Sequence, residues 1–110
     1  HQVRSAEDAQ SWLARLARYP AALDGELERM QAARAVGLIP PAFLIDKALE
    51  QLTASATGLS LARLADSKLA PYPGLPMEAK RIIADRVLPA LRRQIEELRA
   101  QRAQATDDAG

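Results

Sequence analysis

Apolar residues recur along most of this chain at the three- and four-residue spacing of one face of an α-helix. Four stretches carry such a stripe, and the spacing predicts helices over 5–19, 21–36, 41–57 and 77–102. β-Branched residues do not gather into alternating runs, so the sequence predicts no strand. The pattern therefore predicts an all-α fold: an irregular four- to five-helix bundle with a proline-rich connector and a kinked C-terminal helix.

The first predicted helix has a start signal and a stop signal. Ser5 followed by Asp8 resembles a capping box in which Asp replaces the usual Glu or Gln. Tyr19-Pro20 predicts the end of this helix, because proline removes a backbone donor from a helix interior. The apolar stripe between these signals consists of Ala9, Trp12, Leu13 and Leu16.

The second and third predicted helices meet at the stretch Gly37–Pro41. Gly37 can adopt the left-handed conformation that closes a helix, and Pro41 suits the first turn of the next one. Gly25 lies inside the second helix and weakens it by roughly 1 kcal/mol relative to Ala; it either permits close packing by a neighbour or is neutral near the helix start. The third helix is expected to bury the face formed by Leu44, Ile45, Ala48, Leu49 and Leu52.

Residues 59–76 are predicted to be irregular, with room for a short helix over 60–66. Three prolines within 71–76 argue against helix there, so we interpret this segment as a connector pinned by Tyr72 and Leu75. The alternative is a proline-motif ligand for an aromatic groove. Pro89 predicts a kink near Asp85, or a complete break into two helices. Residues 103–110 are expected to fray.

Composition narrows the range of functions. The 110 residues form one helical domain or a piece of a larger one, and 23 alanines leave few large side chains for the core. Fifteen basic and 14 acidic residues give a net charge of +1, which does not favour nucleic acid or an acidic membrane as a partner. No cysteine is present, no apolar run approaches a membrane span, and cytoplasm and cell envelope both stay open.

The search for chemistry yields no catalytic, cofactor-binding or metal-binding residue. The single histidine is His1, interpreted as a cloning remnant or a cut site. No zinc, phosphate-loop or nucleophile motif occurs. Adjacent carboxylates are expected to be caps and solvated faces, because successive helix positions point about 100° apart; they are Glu7-Asp8, Glu96-Glu97 and Asp107-Asp108.

Basic residues are frequent in the last predicted helix, but acidic residues interrupt them. We therefore expect a solvent-facing helix with Arg92–Glu96 and Arg93–Glu97 ion pairs at i,i+4 spacing, in preference to a nucleic-acid patch.

Several stretches follow one another in a recognisable order: Trp12–Leu16 leading to Tyr19-Pro20, then Gly37–Pro41, Leu44–Leu52 with Gln51, Val87–Arg93 and Thr106–Gly110. Over residues 10–110 this order resembles a large bacterial family of unknown function related to gluzincin-type zinc metallopeptidases. The resemblance implies a mostly helical protein several times longer, whose metal motif lies beyond the equivalent of Gly110. It implies that this chain is an N-terminal helical section that walls the substrate cavity, and none of the family's catalytic residues maps onto it.

Two hypotheses follow. In the first, the chain is a non-catalytic helical scaffold segment of a zinc-metallopeptidase-like protein. It then holds no cofactor itself, while zinc is possible in the parent. Its partners are the rest of that protein, or further copies that associate through exposed apolar faces. In the second, it is a stand-alone helical protein-interaction module.

Overall fold

The computed structural model describes residues 2–105, and every regular element in that range is helical. The elements are α1 (Ala6–Ala35), α2 (Ala42–Ser55), α3 (Leu59–Leu69), α4 (Leu75–Ile82), a π-helical segment (Ile83–Val87) and α5 (Leu88–Gln104). The predicted all-α, bundle-like fold is confirmed. No helix within this range is both long and apolar enough to cross a membrane.

The helices line up as three rods: α1; α2 followed by α3; and α4 continued by the π-helical segment and α5. Each rod contains about 30 residues and so extends about 45 Å, which matches the 55 × 22 × 21 Å dimensions of the molecule. The middle rod runs antiparallel to the third, because Asp46 pairs with Arg102 and Asp66 with Lys80.

The first rod differs from the prediction, because α1 does not end at Tyr19-Pro20. The predicted helices over 5–19 and 21–36 are a single helix with Pro20 inside it. Leu16, Pro20 and Leu23 are all buried, so the apolar face keeps its phase through the proline. Burial of that continuous face offsets the roughly 3 kcal/mol that a helix-interior proline costs.

Both ends of α1 carry the predicted caps. The Asp8 N–H donates to Ser5 Oγ at 3.1 Å, while the Asp8 carboxylate accepts from the Arg4 N–H in place of the Ser5 N–H. At the other end Gly37 has φ +79°. The Leu38 N–H then donates to the Ala33 carbonyl at 2.9 Å, and this 6→1 bond closes the helix.

The face that α2 buries is narrower than predicted. Ile45 is 1% exposed and Ala42 is buried, but Leu44 is 47% exposed. Leu44 therefore lies outside the core, contrary to its place in the predicted stripe.

The irregular segment predicted over 59–76 is largely helical. Residues Leu59–Leu69 form α3, and α4 begins at Leu75 with Pro76 in its first turn. Proline is tolerated there because the first-turn N–H groups have no intrahelical partner. Tyr72 and Leu75 pack half-buried against the core, as expected of the connector's anchors.

The irregularity expected near Asp85 is present as the π-helical segment, in which the Leu88 N–H donates to the Ile83 carbonyl. Pro89 follows it in the first turn of α5. The chain stays helical throughout, so the alternative of a complete break is wrong. Helix α5 continues to Gln104, two residues beyond the predicted end, and residues 106–110 of the predicted frayed tail lie outside the described residues.

Candidate functional site

Glu97 is a buried carboxylate at the contact between α1 and α5. Only 3% of its side chain is exposed, so its predicted place on a solvated face is wrong. Arg34 donates from Nε to Oε2 at 2.8 Å and from Nη2 to Oε1 at 3.1 Å. Gln101 Nε2 donates to Oε2 at 3.1 Å. Charge-assisted bonds to both oxygens compensate for the loss of water around this carboxylate.

Local structure places each member of this cluster. Arg34 lies in the last turn of α1, where the helix dipole favours a cation. Glu97 and Gln101 are four residues apart and share one face of α5. The hydrogen bond and charge of Glu97 raise the pKa of Arg34, although desolvation opposes the rise, so Arg34 stays protonated at any pH at which proteins fold.

Further polar contacts join the same two helices. The buried Gln94 donates from Nε2 to the Leu23 carbonyl at 2.8 Å. Arg93 binds both oxygens of Asp24, at 3.0 and 2.9 Å. Leu23 and Asp24 bond to Gln94 and Arg93, whereas Arg34, which lies farther along α1, bonds to Glu97, which lies farther along α5. The first and third rods therefore run parallel.

The intrahelical ion pairs predicted for α5 are replaced by others. Arg93 pairs with Asp24 and Glu97 with Arg34, so the Arg93–Glu97 pair is wrong. Glu96 pairs with Arg99 at 2.7 Å, in place of the predicted Arg92. The long arginine side chains reach a neighbouring helix, and a rule based on spacing within one helix does not include those partners.

The chemistry open to the Glu97 cluster is limited. A general base must come within hydrogen-bond reach of a substrate proton. Glu97 is almost fully enclosed and already accepts three hydrogen bonds of the roughly four that a carboxylate can take. The cluster therefore joins α1 to α5 and does not present a reactive group.

No group of three or more His, Cys, Asp or Glu side chains in residues 2–105 is arranged to hold a metal ion. His1 and Asp107-Asp108 lie outside the described residues. The expectation that this chain has no catalytic, cofactor or metal residue stays a prediction.

Open grooves cross the surface between the rods. One groove has a volume of about 600 Å³ and lies between α1, α2 and α5, with Met30, Leu52 and Leu98 among its apolar lining. Its charged rim residues, Glu26 and Arg29, pair with each other at 2.8 Å. The groove is therefore apolar, with its charges already balanced.

A second groove, of about 420 Å³, lies between α1 and α3. We call it the Trp12 groove, and its lining residues are Trp12, Arg15, Leu16, Tyr19, Leu64 and Lys68. The four residues from α1 follow i, i+3, i+4, i+7 spacing and so share one helix face. The lining contains two cations and no carboxylate.

Large apolar side chains are exposed along the surface. They are Tyr19, Val36, Leu38, Phe43, Leu44, Leu59, Leu64 and Met77, with exposed fractions from 41% to 78%. Four of them lie in or beside the turn between α1 and α2, which we call the apolar turn and define as residues 36–44. The sequence alone predicts neither the Trp12 groove nor the apolar turn, because each depends on which faces the neighbouring helices leave uncovered.

Comparison with known proteins identifies a family. Residues 1–110 match the family described as "Bacterial protein of unknown function (DUF885)". The curated proteins and the solved structures give no match. Because the family match extends over the whole sequence, this chain belongs to the DUF885 family of bacterial proteins of unknown function.

Proposed function

We propose that this chain is a non-catalytic helical scaffold section of a larger bacterial protein related to gluzincin-type zinc metallopeptidases. In this role the three rods wall a substrate cavity, and the zinc and the catalytic groups belong to the rest of that protein. The resemblance of the sequence motifs supports the relationship to peptidases, and the surface of the fold supports the role of scaffold.

The exposed apolar surface is the observation that carries the proposal. The radius of gyration is 16.8 Å, against about 13 Å for a compact domain of this length. In the apolar turn, Val36 is 71% exposed, Leu38 68% and Phe43 70%. Exposed large apolar side chains that cluster in one short segment are typical of surfaces that bind other protein. A thin bundle with such a surface is suited to packing against further helices.

The hydrogen bonding of the interior is consistent with a rigid scaffold. No buried side-chain nitrogen or oxygen within residues 2–105 lacks a hydrogen-bond partner. Polar groups that are fully paired hold helices in one arrangement, whereas unpaired ones would destabilise it. This satisfied interior also favours the alternative function, a stand-alone helical interaction module that folds without the rest of a larger protein.

Solution measurements on the purified chain separate the two functions. A scaffold section should self-associate in size-exclusion chromatography with light scattering, because its exposed apolar faces bury surface against other copies. It should also unfold over a broad temperature range. A stand-alone module should elute as a monomer and melt sharply. The double variant Val36→Ser/Phe43→Ser should reduce self-association in the first case, since it removes apolar surface without touching the core.

The gene that encodes the chain provides a second test. A His-Glu-x-x-His-like motif downstream of the codon for Gly110 supports the scaffold proposal. A stop codon soon after that position contradicts it and leaves the interaction module.

A further inference from the structure

We infer that the Trp12 groove is the docking site for an acidic amphipathic helix that lies outside this chain. The inference rests on the proposed function, because a scaffold section needs a partner surface, and it assigns the chemistry of that partner. Its evidence is the shape, exposure and charge of one groove.

The shape of the groove suits a helix. Trp12, Leu16 and Tyr19 extend along two turns of α1, and Leu64 forms the opposite wall on α3. Leu16 is 7% exposed and forms a floor, while Tyr19 is 41% and Leu64 43% exposed. An amphipathic helix inserts side chains at i, i+3, i+4 and i+7 into such a groove. Half-exposed aromatic side chains are also the residues that contribute most to protein interfaces.

The charge of the groove selects an acidic partner. Arg15 and Lys68 flank the apolar floor, and the lining has no carboxylate, whereas the larger groove between α1, α2 and α5 has Glu26 on its rim. Arg15 is exposed and makes no ion pair with any residue in 2–105. Carboxylates beside the apolar face of a docked helix would therefore meet positive charge on the groove.

The same features argue against a nucleic acid in this groove. Only two cations line it, the lining between them is mostly apolar, and the whole chain has a net charge of +1. Nucleic-acid binding depends on a run of positive charge along the phosphate backbone. A carboxylate-flanked apolar helix uses both the positive charge of Arg15 and the apolar floor.

The groove contains its own spectroscopic probe, since Trp12 is the only tryptophan in the chain. The full chain would be titrated with a synthetic 18-residue helical peptide that has Leu at i, i+3, i+4 and i+7 and Glu on the flanking positions. A matched peptide has Lys in place of each Glu. We expect a saturable change in Trp12 emission with the Glu peptide, at least tenfold weaker binding of the Lys peptide, and weaker binding of the Glu peptide at high salt.

Substitutions on α1 test the assignment. Arg15→Gln should weaken binding of the Glu peptide by about threefold to fivefold, the upper part of the range measured for loss of one exposed ion pair. Arg18→Gln removes the same charge from an exposed position outside the groove and should leave binding unchanged. Leu64→Ser should weaken binding of both peptides. Circular dichroism checks that each variant retains its helices.

The inference is wrong if the Glu peptide does not bind, if the Lys peptide binds equally well, or if Arg15→Gln and Arg18→Gln behave alike. None of these three outcomes contradicts the scaffold proposal if the chain still self-associates through the apolar turn. Binding of the Glu peptide by a strictly monomeric chain, with a stop codon soon after Gly110, supports the groove assignment and contradicts the scaffold proposal.

Discussion

Gly58 joins α2 to α3 and touches the start of α5, and its replacement by Ala should destabilise the fold. Its φ is +76°, and a Cβ added there would lie 3.0 Å from Leu88 Cδ1. The left-handed conformation costs a residue with a Cβ roughly 1–2 kcal/mol. Leu88 is partly buried against the core, and displacing its side chain adds about 1 kcal/mol. We therefore expect Gly58→Ala to lower the free energy of unfolding by about 2–3 kcal/mol.

Two other glycines separate these contributions. Gly37 has φ +79° but no atom within 4 Å of an added Cβ, so Gly37→Ala should show the conformational cost alone. Gly25 lies within α1, where an added Cβ would meet only Arg29 Nη1 at 3.9 Å. The close-packing interpretation of Gly25 is therefore wrong, and Gly25→Ala should stabilise the chain by about 0.5–1 kcal/mol.

Urea unfolding followed by circular dichroism at 222 nm measures the series. Stability should decrease from Gly25→Ala through the wild type and Gly37→Ala to Gly58→Ala, with about 4 °C in Tm for each kcal/mol. Equal losses for Gly37→Ala and Gly58→Ala would refute the contact with Leu88. A wild-type value for Gly58→Ala would refute the whole account. In the Leu88→Ala background the added Cβ no longer meets the Leu88 side chain. There, Gly58→Ala should lower the free energy of unfolding by the conformational cost alone.

Two further pairs of variants and one single variant test the rest of the structure. Ile45→Ala should cost about 2–5 kcal/mol because it opens a cavity, whereas Leu44→Ala should stay within about 0.5 kcal/mol; similar values in urea unfolding would contradict the assigned faces of α2. Glu97→Gln should lower Tm clearly more than Glu96→Gln, since only Glu97 is buried with an ion-pair partner, and equal shifts would contradict the cluster. Arg93→Gln should cost at most about 1 kcal/mol, and the loss should fade in 1 M NaCl; a loss unaffected by salt would contradict an exposed ion pair.

Sequence rules predict a structural feature of this chain correctly where neighbouring residues alone determine it. Gly37 ends α1 because its own backbone conformation allows the closing hydrogen bond, and the sequence predicts it. Pro20 leads to the wrong prediction of a helix end, because the rule against proline in a helix interior considers only the one backbone donor that is missing there. The stripe of Leu16, Pro20 and Leu23 keeps its helical phase, and this was the signal for a continuous helix. Phase of the apolar face thus outweighs a single proline when the helix has a neighbour along its length.

The burial of Glu97 could not be predicted in the same way. Its partner Arg34 lies 63 residues away, and nothing near Glu97 distinguishes it from its exposed neighbour Glu96. Which of two adjacent carboxylates turns inward depends on the position of α1 against α5. The Trp12 groove is similar, because Trp12 and Leu64 are ordinary stripe residues until α3 is placed beside α1.

The apolar turn is held to α5 from both sides, and this connects stability to the proposed function. Arg34, two residues before the turn, binds Glu97 at 2.8 Å. Asp46, two residues after the turn, binds Arg102 of the same helix at 2.8 Å. A loop fixed at both ends loses less conformational entropy when it binds than a free loop does. If the proposed function is correct, these two ion pairs preorganise the exposed apolar side chains of the apolar turn for contact with further protein.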